Sequence, residues 1–151
     1  MTVSLFVDTN VFVYAYDLSE YEKQKQAQAL LRAIVNANAG AVSTQVLIEF
    51  AHIITRKIPL PLTSEEAYTQ LEALLCSWRV LEITPKIVLE AVRGMRDYGF
   101  SIWDAQIWAT ARMNDIGLVL SEDFNVSATI EGVKFLNPFA PDFSFEAVIF
   151  T

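Results

Sequence analysis

Apolar positions along this chain change period several times, and each change marks an element. Val3-Ser4-Leu5-Phe6-Val7 is a short, mostly apolar run rich in strand formers, and it stops at Asp8. Such a run suits a strand buried on both faces of a parallel sheet. A helical pattern follows from Val11 to Tyr16. A longer one, from about Ser19 to Asn38, places Ala27, Leu30, Leu31, Ile34 and Val35 on one stripe. Ser19 and Glu22 fit a capping box at its start. After Gly40, Ala41 to Ser43 reads as a brief strand.

The next helix runs from Thr44 to Lys57 and is stopped by Pro59-Leu60-Pro61. Another spans Ser64 to Trp78, and Val80 to Ile83 is strand-like. Pro85 suits the first position of a helix that Gly99 ends after Tyr98. Ser101 to Ile116 is again helical. Leu118-Val119-Leu120 is a second buried-type strand, running into Ser121-Glu122-Asp123, and Val133 to Leu136 is the last strand. Strands alternating with helices predict an α/β fold with a parallel sheet covered on both faces. Without repeats or linkers, 151 residues make one domain large enough for a real core. Residues 140–151, with Phe143, Phe145, Val148, Ile149 and Phe150, form an apolar tail expected to pack on this domain or on a neighbour.

Composition sharpens this picture. The chain is 53% hydrophobic with a mean hydropathy of +0.32, yet no apolar run reaches the ~18 residues needed to cross a bilayer. The excess points to a large core, a sizeable interface, or both, so a homodimer or higher oligomer is expected and a membrane is not. No basic region precedes the first apolar stretch, so the N-terminus does not read as a signal peptide, and the expected compartment is the cytoplasm. The single Cys76 excludes an internal disulfide and, in its apolar helical stretch, is expected in the core. One Cys and one His cannot build a conventional zinc site. A net charge of -7 argues against generic nucleic-acid binding, unless several acids gather around a cation.

Four acids stand where such a gathering is possible. Asp8 ends the first strand, at the edge where ligands of open α/β sheets sit. It equally suits the N-cap of the following helix. Glu49 shares a helix face with Val46, Phe50 and Ile53, and a carboxylate within an apolar stripe needs a partner or a metal. Asp104 shares a face with Ile107, Trp108 and Ala111, although Ser101 with Asp104 also fits a capping-box variant. Asp123 follows the strand Leu118 to Leu120. Its neighbour Glu122 is a rival, but adjacent residues on an extended segment point opposite ways. Four carboxylates in one pocket repel unless a cation binds, and hard ions such as Mg²⁺ or Mn²⁺ prefer oxygen ligands. Phosphodiester cleavage is the chemistry that commonly needs such a site. Weaker candidates are His52 as a proton shuttle, Trp103 and Trp108 as stacking surfaces, and Arg56-Lys57 or Arg93 with Arg96 as basic patches.

Val7-Asp8-Thr9-Asn10-Val11, Glu49 in a helix, Ser101-Ile102-Trp103-Asp104-Ala105 and Leu120-Ser121-Glu122-Asp123-Phe124, in this order, resemble the PIN-domain family. Within it they look most like the VapC-type toxins of bacterial toxin–antitoxin pairs. Gly132 to Phe139 also resembles the end of such domains, so the likeness covers residues 1–139. It implies a PIN-like three-layer α/β/α fold with a central parallel sheet. It further implies a Mg²⁺- or Mn²⁺-dependent endoribonuclease with RNA as substrate and a VapB-like antitoxin as partner. The family's acidic quartet maps onto Asp8, Glu49, Asp104 and Asp123, with Asn10 and Ser121 as supporting polar positions. Relatives often carry a Gly soon after the fourth acid, where this chain has Asn125-Val126-Ser127. Other readings are an RNA-processing nuclease without an antitoxin, and a catalytically silent module whose acids pair with a basic protein.

Overall fold

The protein is seen in a computed structural model that describes residues 3–124 and 129–150. Strand β1 (Leu5–Val7) leads into helix α1 (Thr9–Tyr14) and then α2 (Tyr21–Asn36). Strand β2 (Gly40–Ser43) is followed by α3 (Thr44–Arg56) and α4 (Ser64–Ser77). Strand β3 (Arg79–Leu81) precedes α5 (Pro85–Tyr98) and α6 (Ile102–Met113). Strands β4 (Leu118–Leu120), β5 (Thr129–Ile130) and β6 (Val133–Leu136) come next, and α7 (Phe145–Ile149) closes the described chain.

The strands form one sheet in the order β3-β2-β1-β4-β6-β5. Every pairing is parallel except the β5–β6 hairpin. This is the expected α/β architecture, with helices flanking a mostly parallel sheet. Leu5, Phe6 and Val7 are fully buried, as a strand covered on both faces requires. From β1 the chain first builds outwards to β2 and β3, then crosses back to β4 on the other side. The carboxyl ends of β1 and β4 are therefore a topological switch point, where the flanking loops splay apart and leave a crevice.

Two helices that border this crevice are held by identifiable means. Ser43 caps α3, its hydroxyl accepting from the Val46 N–H at 3.1 Å, and Phe50 and Ile54 bury the inner face. Helix α6 crosses α5 at Gly94, where a Cβ would lie 2.8 Å from the Trp108 ring, so only glycine admits the indole there. Trp108 is fully buried and its N–H donates to the Ile130 carbonyl at 3.1 Å, fixing α6 to the hairpin.

Several details depart from expectation. Helix α2 begins at Tyr21, because the Ser19 amide and hydroxyl both bond to Asp17 in a local turn; Glu20 takes the cap position without a side-chain bond. The full capping box lies instead at α4, between Thr63 and Glu66. Cys76 is exposed, on the outward side of α4, and is not a core residue. The tail forms the short helix α7, whose Ile149 is buried and whose carbonyl accepts from the Val3 N–H at 3.4 Å. Among the described residues no helix is long and apolar enough to cross a membrane.

Candidate active site

Parallel pairing of Val7 with Leu120 brings the ends of β1 and β4 side by side, so Asp8 stands next to Ser121. The Asp8 N–H bonds back to Leu120 at 3.0 Å. Its carboxylate accepts from the Thr9 N–H at 2.7 Å and from the Ser121 hydroxyl at 2.8 Å. Asp8 is thus both the cap of α1 and a wall of the crevice, and the two readings of it were never exclusive. Ser121, itself buried, also accepts from the Asp123 N–H at 3.2 Å and from the Asn10 amide at 3.3 Å. Asn10 in turn donates to Asp123 Oδ2 at 3.0 Å. One hydroxyl and one amide therefore set Asp8 against Asp123.

Glu122 points the other way. Its carboxylate pairs with Lys23 at 2.7 Å and accepts from the Tyr14 hydroxyl at 2.6 Å. Burial would raise its pKa, but Lys23 and Tyr14 outweigh that and hold it below the ordinary value. Phe124, on the far side of Asp123, stacks on Phe135 with centroids 3.6 Å apart and meets Phe100 edge-on. Asp123 is held between these two anchors.

Glu49 reaches the same crevice from α3. It accepts from the Thr9 hydroxyl at 2.9 Å and from the Gln45 amide, one turn earlier, at 2.8 Å. Asp104 approaches from the first turn of α6, where its N–H donates to the Ser101 hydroxyl at 3.1 Å. That is half of the capping-box variant read in the sequence, and Asp104 still lines the crevice.

A cavity of about 130 Å³ lies between them, lined by Asp8, Asn10, Gln45, Glu49, Trp103, Asp104, Ile107 and Asp123. All four acids found in the sequence meet in it. Burial pushes the Asp8 carboxyl up to about 6, against the Ser121 and Thr9 bonds, and the charges of Glu49 and Asp123 add to the rise. Asp104 is also raised, by burial first, with the Asp123 charge adding to it against the Ser101 hydroxyl. The described lining holds no Lys, Arg or His. Among the described residues no three acids are already drawn together tightly enough to grip an ion. The carboxylates line a cavity and are not a finished coordination shell, as mutual repulsion dictates. An all-oxygen, anionic donor set with raised acids fits a hard divalent cation.

Larger cavities lie elsewhere. One of about 430 Å³ is walled by Phe12, Tyr16, Leu31, Phe50, Leu74 and Trp78, and another of about 650 Å³ separates α2 from the tail. Their walls are largely apolar, so they hold space and little chemistry. His52 is exposed and absent from the acidic cavity's described lining, while Arg93 and Arg96 are paired with acids. Thr9 and Gln45 escaped the sequence reading. Gln45 had a signal, since residues four apart on a helix meet. Thr9 had none beyond adjacency to Asp8. The Asn125-Val126-Ser127 departure lies outside the described residues.

No curated protein matches the chain. Solved structures do. VapC20 of Mycobacterium tuberculosis, a sarcin-ricin loop cleaving toxin, superposes with a TM-score of 0.66 at 19% identity, over 85% of this chain and 98% of that one. A toxin–antitoxin complex from Klebsiella pneumoniae gives 0.62 at 19% identity, over 90% and 98%. VapBC2 of Rickettsia felis, bound to a DNA fragment from its promoter, gives 0.63 at 16% identity, over 89% and 98%. At such identities the likeness is one of fold. The PIN domain family model matches residues 5–130. With that match spanning most of its length, and with the sheet order and crevice described above, the chain belongs to the PIN domain family.

Proposed function

We propose that the protein is a divalent-metal-dependent endoribonuclease and the toxin of a toxin–antitoxin pair. One observation carries the reading: Asp8, Glu49, Asp104 and Asp123 converge on one small cavity without a basic residue in its described lining. Bound among them, Mg²⁺ or Mn²⁺ would polarise water and neutralise the charge that grows on the phosphate oxygens. Asp8, Asp104 and Asp123 are the holders of that cation. Glu49, kept in place by Thr9 and Gln45, is a further ligand or the base that orients the attacking water. Asn10 and Ser121 keep Asp8 and Asp123 at fixed separation. The nuclease unit is residues 1–139, and residues 140–151 are an accessory tail.

An antitoxin would silence the site by placing a Lys or Arg among the carboxylates, where it replaces the cation's charge. Structural neighbours that are toxin–antitoxin complexes support this partner. The exposed apolar row Val88, Leu89, Val92 and Met95 on α5 supports a homodimer or larger assembly. The decisive experiment is cleavage of a mixed RNA pool with Mn²⁺, Mg²⁺ or chelator, with mapping of the cut ends. Ion-dependent internal cuts are expected. Cutting that persists in chelator, or no cutting with either ion, overturns the proposal.

A further inference from the structure

We infer that Trp103 is a stacking platform for a nucleobase beside the scissile phosphate. This rests on the nuclease reading of the same cavity. At about 130 Å³ the cavity has room for a phosphate with its ion and water, but not for a nucleoside as well. Base and sugar must therefore lie across the rim.

The rim carries Trp103. It lines the cavity, precedes Asp104 in the first turn of α6, and is 60% exposed. Its helix partner Trp108 is fully buried and hydrogen-bonded, so the two indoles of α6 have different jobs. Other large exposed aromatics, Tyr21, Tyr68, Tyr98 and Phe150, are not among the residues lining the cavity.

Charge strengthens the case. RNA affinity usually rests on phosphate contacts from Lys and Arg, but this chain has a net charge of -7 and no base in the described lining. A neutral surface must supply much of the grip on the substrate. Aromatic stacking does so for any base, since every base has a π-face.

The test uses the full chain with Mn²⁺ and a single-stranded RNA that wild type cuts. Trp103→Ala is expected to raise KM by about 5- to 100-fold with kcat nearly unchanged. Trp103→Phe should recover most of the loss. In Glu49→Gln protein a short oligo(U) should quench the exposed indole, and the added Trp103→Ala change should abolish that quench. If wild type cuts RNA while Trp103→Ala keeps its KM, or oligo(U) binds without quenching, the stacking role is overturned and the nuclease stands. If wild type cuts no RNA, the nuclease reading fails and this inference falls with it.

Discussion

Two clusters of carboxylates occupy this molecule, and they are built in opposite ways. On α5 and at the β5–β6 turn, Glu90, Asp97 and Glu131 gather around the guanidiniums of Arg93, Arg96 and Arg112. Arg93 reaches Glu90, Asp97 at 3.3 Å and Glu131 at 2.9 Å, while Arg112 reaches Glu90 at 3.0 Å and Glu131 at 3.3 Å. The Tyr98 hydroxyl and then Arg93 hold Glu131 below its ordinary pKa, and Arg96 does the same for Asp97. In the crevice, among the described residues, Asp8, Glu49, Asp104 and Asp123 receive bonds only from hydroxyls, amides and backbone N–H groups, and Asp8 and Asp104 are raised. A cluster that contains its own cations is finished structure. A cluster satisfied by neutral donors keeps its charge available for a cation from outside.

The sharpest way to break this comparison is Asp8→Asn. It keeps the shape of the site and removes one charge, so RNA cleavage is expected to fall by at least about a hundredfold in a mapped-cut assay. Cleavage near the wild-type rate would return Asp8 to the role of a plain helix cap.

Thermal melts come next. Saturating Mn²⁺ should stabilise wild type by about 3 kcal/mol at a hundredfold excess over Kd, or about 5–10 °C in Tm. Asp104→Asn should melt higher than wild type in chelator, because a repulsive charge is gone, and lose most of the Mn²⁺ gain. A variant that melts lower in chelator and still responds to Mn²⁺ would leave Asp104 only its place in the cap of α6.

A smaller effect separates the clusters by pH. The folded Asp8 binds its proton up to about pH 6, above the unfolded value of 3.8. The native state thus holds more protons than the unfolded one between these values, and its stability rises as pH falls through about 6. Metal-free protein should gain about 1 kcal/mol or more between pH 7 and pH 5 by urea denaturation, and Asp8→Asn should remove most of that gain, Asp104 supplying the remainder. Glu131 and Asp97 act with the opposite sign: their lowered pKa values give stability that fades only in stronger acid. The smallest expected change is Glu131→Gln, which should lower Tm by about 2 °C with or without Mn²⁺. A rise in Tm would show that the paired cluster is also under repulsion.

The frame of the fold was legible because its signals are local. The strands ending at Asp8 and at Ser121-Glu122-Asp123 are continuous apolar runs, and the helix faces holding Glu49 and Asp104 show plain periodicity. Asp123 was preferred to Glu122 only through the family resemblance, because the Lys23 and Tyr14 contacts that turn Glu122 away lie far off in sequence. Cys76 was misplaced because α4 offers more apolar residues than its one buried side can cover. The β5–β6 hairpin was missed since β5 is two residues long, and its turn uses a positive φ at both Glu131 and Gly132. Ser19 satisfied a motif that Asp17 took over through a nearer bond.

The sheet order also constrains the protein's synthesis. Asp8 and Ser121 touch across 113 residues of chain, because β1 waits for β4 to fill its second edge. Until then a growing polypeptide has Asp8 and Glu49 beside an unpaired strand, with no Ser121 or Asp123 to face them. A product cut short by a damaged message is therefore not a weakened copy of the whole. It is half a sheet with an open apolar edge, and such edges recruit other strands.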